Sequence, residues 1–232
     1  MIENKYFTSA IIVAAGNSSR MRNDQSKIFE MILKKPSILY ALKAFQESDF
    51  INEIIIVCKE KDIDNLKYIV RQNHISKFNS FALGGSSRQK SVFSGINKAS
   101  SNSTHFAIHD AARICITKEI IDKTVRKAYE TKAAITGVPL KDTVKYLDDN
   151  GLIINTPIRS KLWCAQTPQV FEKYLYIEAM KRSNKVRQDY TDDSQLIENC
   201  GGKVYIVMGD YKNIKITTPE DILICENMLL NR

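Results

Sequence analysis

The stretch "IIVAAGNSSRM", residues 11–21, joins an apolar run to a glycine, three small polar residues and an arginine, and Lys27 follows six residues later. A glycine directly after a buried strand lets the backbone turn tightly, so that N–H groups face the carboxyl end of the strand. With Arg20 and Lys27 nearby, these donors indicate a phosphate site, although a strand-to-helix turn with a solvated arginine has the same composition. The Walker pattern is absent because no Gly-Lys-Ser/Thr follows, and the G-x-G-x-x-G pattern is absent because Ser18 stands in place of its second glycine.

Short β-branched runs alternate with amphipathic stretches along the rest of the chain. In 63–70, for example, Ile63, Leu66 and Ile69 recur at helical spacing. Strands are predicted over 9–15, 53–58, 80–83, 105–109, 133–139 and 203–207. Helices are predicted over 38–45, 63–70, 91–99 and 120–129, and after the N-cap Thr218. This alternation predicts an α/β fold with a doubly wound, mostly parallel sheet, whose ligands bind beyond the carboxyl ends of the strands.

The alternation breaks at residues 139–162, which we call the arm. Two short extended segments, 143–146 and 152–155, flank the turn sequence "DDNG" at 148–151, a composition typical of a β-hairpin. A two-stranded hairpin as short and polar as this is marginal by itself in water. We therefore expect the arm to pack against the arm of a second subunit in a homodimer. Without linkers or repeats, residues 1–232 are expected to form a single domain with this arm.

Composition and charge narrow the function classes. The 232 residues are 44% hydrophobic, enough for a full core, and no apolar run reaches the length of a membrane span. Five dispersed cysteines and a polar N-terminus predict a cytoplasmic protein without disulfides. The net charge of +8 suggests nucleic-acid binding, but no basic run is interleaved with aromatic residues. The cations instead flank glycine turns, which favours a small anionic ligand.

Two further segments lie at the ends of predicted strands and carry side chains that can bind a ligand. In "GGSSRQKS", residues 84–91, paired glycines allow close backbone approach, and the serines can hydrogen-bond a ligand or cap a helix. In "HDAAR", residues 109–113, Asp110 is costly to bury unless it meets a metal ion or a cation. Arg113 is a candidate phosphate ligand. His109 is interpreted as a core residue and not as a reactive one.

The order of these segments resembles the CDP-alcohol-forming cytidylyltransferase family over residues 10–227. It is closest to the members that act on 2-C-methyl-D-erythritol 4-phosphate. The resemblance implies a Rossmann-like nucleotidyltransferase fold and transfer of CMP from CTP to a polyol phosphate, assisted by Mg²⁺ that is bound mainly through the CTP phosphates. It rests on the segments "AAGNSSRM", "SK", "GGSSRQKSV", "HDAAR", "VPLKDTVK", "RSKLWCAQTPQVF", "TDDSQLIE" and "NIKITTPED".

The resemblance also assigns roles to individual residues. The catalytic cations that it implies are Arg20 and Lys27, which stabilise the reacting phosphate, and Arg159 and Lys215, which position the polyol phosphate. The nucleotide-binding positions are Ala14, Ala15, Gly16, Gly85, Ser86 and Ser91, with Gly85 and Ser86 against the cytosine. The residues around the sugar phosphate are Asp110, Arg113, Thr143 and Thr167, and Asp110 is also the candidate metal ligand.

Several positions depart from the pattern of the family, and they put the rigidity of the loops in question more than their chemistry. They are Ser18, the residues Ser26 and Ile28 beside Lys27, Ile114 in place of proline, and Ile158 in place of aspartate before Arg159. The alternative substrate is ribitol 5-phosphate. The alternatives from other classes are a nucleotide-binding module without catalytic activity and a nicotinamide-dependent dehydrogenase. A dehydrogenase of this fold requires an acidic residue at the end of the second strand, where Cys58 and Lys59 stand.

Overall fold

A computed structural model describes residues 6–16, 26–186, 190 and 192–231 of the chain. Its strands are β1 Thr8–Val13, β2 Met31–Ile32, β3 Lys35–Pro36, β4 Glu53–Cys58, β5 Phe78–Leu83, β6 His105–Asp110, β7 Ala133–Pro139, β8 Tyr146–Leu147, β9 Ile153–Asn155, β10 Trp163–Glu172 and β11 Tyr205–Met208. Its α-helices are α1 Ser37–Glu47, α2 Ile63–Gln72, α3 Arg88–Ile96, α4 Lys118–Thr131, α5 Lys173–Val186, α6 Asp193–Glu198 and α7 Pro219–Leu230.

Seven of the strands form one sheet in the order β11-β7-β10-β6-β1-β4-β5. The pairs β1–β4, β1–β6, β4–β5 and β7–β11 are parallel. Strand β10 lies between β6 and β7 and is antiparallel to both. The predicted doubly wound, mostly parallel sheet is therefore confirmed, with one antiparallel strand that the sequence did not reveal.

The core has two layers, one on each face of this sheet. Ile12 of β1 packs with residues of α1, α2 and α4, whereas its neighbour Ile11 packs with residues of α3, α5 and α6. Successive side chains of a strand point to opposite faces, so a strand covered on both sides must be apolar throughout. This requirement explains the continuous apolar runs in β1 and β4.

A third apolar cluster attaches the C-terminal helix α7 to the body of the protein. Cys225 of α7 packs with Ile32, Ile114, Cys115 and Ile216, all of them buried. Ile114, one of the departures from the family pattern, therefore serves as an anchor for this helix.

The start of α7 agrees with its prediction from the sequence. Thr218 is the N-cap and Pro219 is the first helical residue. Asp221 closes a capping box with Thr218, so that backbone N–H groups at the end of the helix are satisfied locally. These contacts hold Thr217 and Thr218 at the start of α7.

The arm forms a separate two-stranded antiparallel hairpin of β8 and β9, as predicted. Its strands are shorter than expected, because they begin at Tyr146 and Ile153. Within the described part of the chain, no helix combines the length and the apolar character that crossing a membrane requires.

Candidate active site

A cavity of about 490 Å³ opens at the carboxyl edge of the sheet. Its walls come from three strand ends, those of β1, β5 and β6, together with Lys27 and the segment before α7. Because ligands of a doubly wound sheet bind beyond the carboxyl ends of its strands, the sequence predicts contacts at these three ends and also after Pro139, the last residue of β7. Because β10 lies between β6 and β7, the end of β7 is displaced from the cavity and leads into the arm instead.

Most of the predicted site residues converge on this cavity. Those that line it are Ala14, Ala15, Gly16, Lys27, Gly85, Ser86, Ser91, Asp110 and Lys215. Arg113 and Thr167 do not line it but lie behind Asp110. Thr143 and Arg159 are exposed residues of the arm and lie outside it. Arg20 lies outside the described residues.

Asp110, the last residue of β6, is the charged centre of the cavity wall. Its Oδ1 accepts a hydrogen bond from Arg88 Nε at 3.2 Å, and its Oδ2 accepts one from Lys215 Nζ at 2.8 Å. Burial alone would raise the pKa of this carboxyl group, but the two cations hold that pKa well below its usual range. Asp110 is therefore an anion that fixes two cations at the cavity wall.

Thr167 and Arg113 support Asp110 from behind. The hydroxyl oxygen of Thr167 accepts a hydrogen bond from the backbone N–H of Asp110 at 3.1 Å and also contacts His109 Nδ1 at 2.9 Å. Arg113 donates from Nη1 to the carbonyl oxygen of Asn213 at 2.8 Å, while its buried Nε has no hydrogen-bond partner among the described residues. A buried donor without a partner is costly, so we expect water, a ligand or a residue outside the described ones to satisfy it.

His109 does not provide acid–base chemistry to this site. Its side chain is fully buried beside Phe45, and burial lowers its pKa to about 3. The imidazole is therefore neutral at physiological pH. This agrees with its interpretation from the sequence as a core residue.

Lys27 reaches the cavity from a one-turn helix, Lys27–Phe29, that precedes β2. Its ammonium group donates to the carbonyl oxygen of Ile216 at 3.2 Å, next to Lys215 in sequence. The buried side chain of Ile28 and a hydrogen bond from Ser37 Oγ to the carbonyl oxygen of Lys27 fix this turn. The lysine ammonium groups of the cavity thus come from distant parts of the chain.

The glycine turn after β5 packs against the start of α3. A Cβ atom on Gly85 would lie 2.5 Å from Lys90 Cβ and 3.0 Å from the Lys90 carbonyl carbon. The backbone N–H of Gly85 donates to Ser91 Oγ at 3.0 Å. Gly85 is therefore needed for close packing between the turn and the helix. The sequence interpretation had assigned this glycine a contact with the cytosine and no packing role.

Alanine substitutions at Gly16 and Gly85 should separate ligand contact from folding. A Cβ atom on Gly16 would meet no described atom within 4 Å, so Gly16→Ala should change the free energy of unfolding by less than about 0.5 kcal/mol. Gly85→Ala overpacks the turn and should cost about 1–3 kcal/mol. Denaturant unfolding measures both values. For the CTP site that the resemblance implies, an unchanged KM for CTP in folded Gly16→Ala would exclude Gly16 from that site.

Arg88 is a charged cavity residue to which the sequence assigned no role. It lies in the quoted segment "GGSSRQKS", and its side chain bridges Asp110 and Asp193. Its position in the first turn of a helix, after two glycines, was a usable signal. What the sequence did not show is that α6 brings Asp193 to the same place. Thr217, another cavity residue without a predicted role, lies in the segment before α7, and the local sequence did not show that this segment reaches the cavity.

The described residues provide one carboxylate to the cavity and no cluster of three or more His, Cys, Asp or Glu side chains suited to a metal ion. Both oxygens of that carboxylate, Asp110, already face cations. This donor set does not form a protein cage for Mg²⁺. It fits an ion that is held chiefly by phosphate oxygens, with at most one protein carboxylate, as is common for Mg²⁺ with nucleotides.

A doubly wound sheet with a cationic cavity at its carboxyl edge, walled by a glycine turn and a helix start, is the arrangement in which Rossmann-like proteins bind anionic ligands such as nucleotides. The profile of the 2-C-methyl-D-erythritol 4-phosphate cytidylyltransferase family matches residues 8–231. The chain belongs to this family and is an enzyme, a cytidylyltransferase.

Individual relatives agree with this assignment over nearly the whole chain. The chain is 44% identical over 226 residues to the 2-C-methyl-D-erythritol 4-phosphate cytidylyltransferase of Caldanaerobacter subterraneus subsp. tengcongensis, covering 95% of this chain and 98% of the relative. It is 40% identical over 232 residues to that of Alkaliphilus oremlandii, covering 100% of this chain and 98% of the relative. The crystal structure of 4-diphosphocytidyl-2C-methyl-D-erythritol synthase from Anaerococcus prevotii superposes with a TM-score of 0.86 at 33% identity. The superposition covers 98% of this chain and 99% of that structure.

Proposed function

We propose that this enzyme uses the cavity at the carboxyl edge of its sheet to transfer CMP from CTP to 2-C-methyl-D-erythritol 4-phosphate. The products are pyrophosphate and 4-diphosphocytidyl-2-C-methyl-D-erythritol. The observation that carries this proposal is the convergence of Lys27, Arg88 and Lys215 on one cavity, beside a turn of small residues, in a chain of this family. These cations line a cavity of nucleotide size and are opposite in sign to the charge of a triphosphate and of a phosphate monoester.

The reaction joins a phosphate oxygen of the polyol phosphate to the α-phosphorus of CTP as the bond to pyrophosphate breaks. A phosphate monoester is already a nucleophile, so the enzyme does not need a general base. It needs alignment of the two substrates and neutralisation of the charge that develops as pyrophosphate leaves. The neutral, buried His109 and the cationic cavity wall are consistent with this requirement.

The nucleotide side of the cavity is assigned to the loop after β1 and the turn after β5. Small residues let the backbone come close to a base and a ribose, and they leave little room for a purine. The residues proposed to bind the nucleotide are Ala14, Ala15, Gly16, Gly85, Ser86 and Ser91. Lys27 and Arg20 are proposed to stabilise the reacting phosphate.

The opposite side of the cavity is assigned to the polyol phosphate. Lys215 is held there by Asp110, and the buried Nε of Arg113 makes no hydrogen bond to the described residues. We assign Asp110, Arg113 and Thr167 to the binding of this substrate, together with Thr143 of the arm. A Mg²⁺ ion bound to the CTP phosphates, near Asp110, would supply further positive charge to the leaving pyrophosphate.

The arm is proposed to complete the site of a second subunit in a homodimer. Its turn is polar, but apolar side chains that are 49–68% exposed flank that turn: Tyr146, Leu147, Leu152, Ile153 and Ile154. The expected polarity of the arm therefore holds only for its turn. Contiguous exposed apolar residues mark an interaction surface. Arg159, which follows the hairpin, does not line the cavity of its own chain.

We also place the reaction in the cytoplasm, where thiols stay reduced, since none of the five cysteines forms a disulfide.

Release of pyrophosphate from CTP, measured with each of two polyol phosphates, tests the substrate assignment. Turnover with 2-C-methyl-D-erythritol 4-phosphate should exceed turnover with ribitol 5-phosphate. Preferential turnover of ribitol 5-phosphate would overturn the assignment and leave the cytidylyltransferase class intact.

A further inference from the structure

Arg88 and Asp193 form an ion pair that joins two helices behind the cavity. Arg88 is the first residue of α3 and Asp193 is the first residue of α6. Arg88 Nη1 donates to Asp193 Oδ2 at 2.6 Å, and the two side chains are only 25% and 3% exposed. Asp193 belongs to the segment "TDDSQLIE", which resembles the family but has no role in the reaction as proposed so far.

The carboxylate of Asp193 is itself fixed in place. The hydroxyl group of the fully buried Tyr176 donates to Asp193 Oδ1 at 2.6 Å. The backbone N–H of Asp193 donates to Gln169 Oε1 at 3.0 Å. Because Tyr176 takes one carboxylate oxygen, the other is directed at Arg88, and such charge-assisted hydrogen bonds are geometrically demanding.

Arg88 uses a different nitrogen to reach the cavity. Its Nε donates to Asp110 Oδ1, while Lys215 Nζ donates to Asp110 Oδ2. The planar guanidinium group thus spans two carboxylates, which a lysine ammonium group does with less directional control. Arg88, Asp110 and Lys215 line the cavity, whereas Asp193 does not.

We propose that Asp193 is a positioning residue for the transfer reaction, acting through Arg88 on the orientation of Asp110 and hence on the location of the Lys215 ammonium group. This inference rests on the proposed function, in which Lys215 binds the polyol phosphate. Asp193 holds the guanidinium group at one end, so the Nε at the other end presents a fixed donor to Asp110. The remaining oxygen of Asp110 then holds Lys215 at one place in the cavity wall.

The substitution Asp193→Asn tests this chain of contacts. The amide has one acceptor oxygen where the carboxylate has two, so it cannot accept from both Tyr176 and Arg88, and the negative charge that faces Arg88 is lost. With Arg88 and Lys215 less well placed, kcat/KM for the polyol phosphate should fall about tenfold or more, since small displacements of positioning groups are costly. The KM for CTP should stay within about twofold of the parent value, because nucleotide contacts are not changed.

Glu198, the exposed last residue of α6, provides the control. Glu198→Gln removes a negative charge from the same helix at a position that faces solvent and not Arg88 or Gln169. Surface substitutions of this kind have small effects, so the variant should keep the kinetic constants of the parent within about twofold. A loss equal to that of Asp193→Asn would contradict the inference, because the charge of α6 and not the contact with Arg88 would then be responsible.

Combining Asp193→Asn with Arg88→Gln tests whether Asp193 affects the kinetics through Arg88. If it does, adding Asp193→Asn to Arg88→Gln should lower kcat/KM no further, and the double variant also removes the buried carboxylate left without its partner. A further loss of the same size, or normal kinetics in folded Asp193→Asn, would overturn the inference. So would an equal rise in KM for CTP, since that would locate the effect at the start of α3. A parent protein without turnover would instead refute the proposed function.

Discussion

Replacing Lys27 with alanine should leave the protein folded and lower turnover by about 10²–10³-fold. The lysine ammonium group lies at the cavity wall, where negative charge develops on the α-phosphate in the proposed reaction. The backbone of this turn is held by other groups, the buried Ile28 side chain and the Ser37 hydroxyl. The loss should therefore appear in kcat, measured as pyrophosphate release, and not in thermal stability.

Lys43 provides the control for Lys27. It is an exposed residue of α1, away from the cavity, and alanine is a good helix former. Lys43→Ala removes the same charge and should retain the turnover of the parent. Turnover close to that of the parent in a folded Lys27→Ala protein would exclude the lysine from the mechanism.

Mixing two inactive variants, Lys27→Ala and Arg159→Ala, should restore roughly a quarter of the parent activity. In the proposed dimer, each site contains Lys27 from one subunit and Arg159 from the other. Half of the randomly paired dimers are mixed, and each mixed dimer has one intact site out of two. The subunits are exchanged by unfolding and refolding together, and pyrophosphate release is then measured.

The position of Arg159 makes it the suitable partner for this mixture. In its own chain, Arg159 Nη1 donates to the carbonyl oxygen of Lys141 at 2.9 Å, within the arm and outside the cavity. A refolded mixture as inactive as its parents, with formation of mixed dimers verified by differently tagged subunits, would contradict a shared site. Each variant refolded alone is the baseline for the comparison.

The apolar periodicity of the chain was sufficient to predict the class of fold. Strands β1 and β4 must be apolar on both faces because helices cover both sides of the sheet, and that requirement is visible in residues 9–15 and 53–58. The cap of α7 was equally visible, since Thr218 and Pro219 act locally. Features fixed by neighbours in sequence were therefore predicted well.

Strand β10 was not predicted, because its pattern makes sense only in the sheet. Its centre contains Gln166, Thr167 and Pro168, which a sequence pattern assigns to a loop, and its pairing with β7 shifts in register between Ala165 and Gln169. In the structure, Gln166 and Thr167 are buried and find hydrogen-bond partners in distant segments. Those partners are invisible from local sequence.

The cavity shows the same difference between what the local sequence predicts and what only the tertiary structure decides. The sequence by itself determined that small residues, glycine turns and cations follow strand ends, and it therefore predicted an anionic ligand at the carboxyl edge of the sheet. Only the tertiary structure decided which charges meet there, because Arg88 and its partner Asp193 are 105 residues apart, as are Asp110 and Lys215. Charge pairing depends on distances of a few ångströms between side chains, and the folding of the sheet and its helices sets those distances.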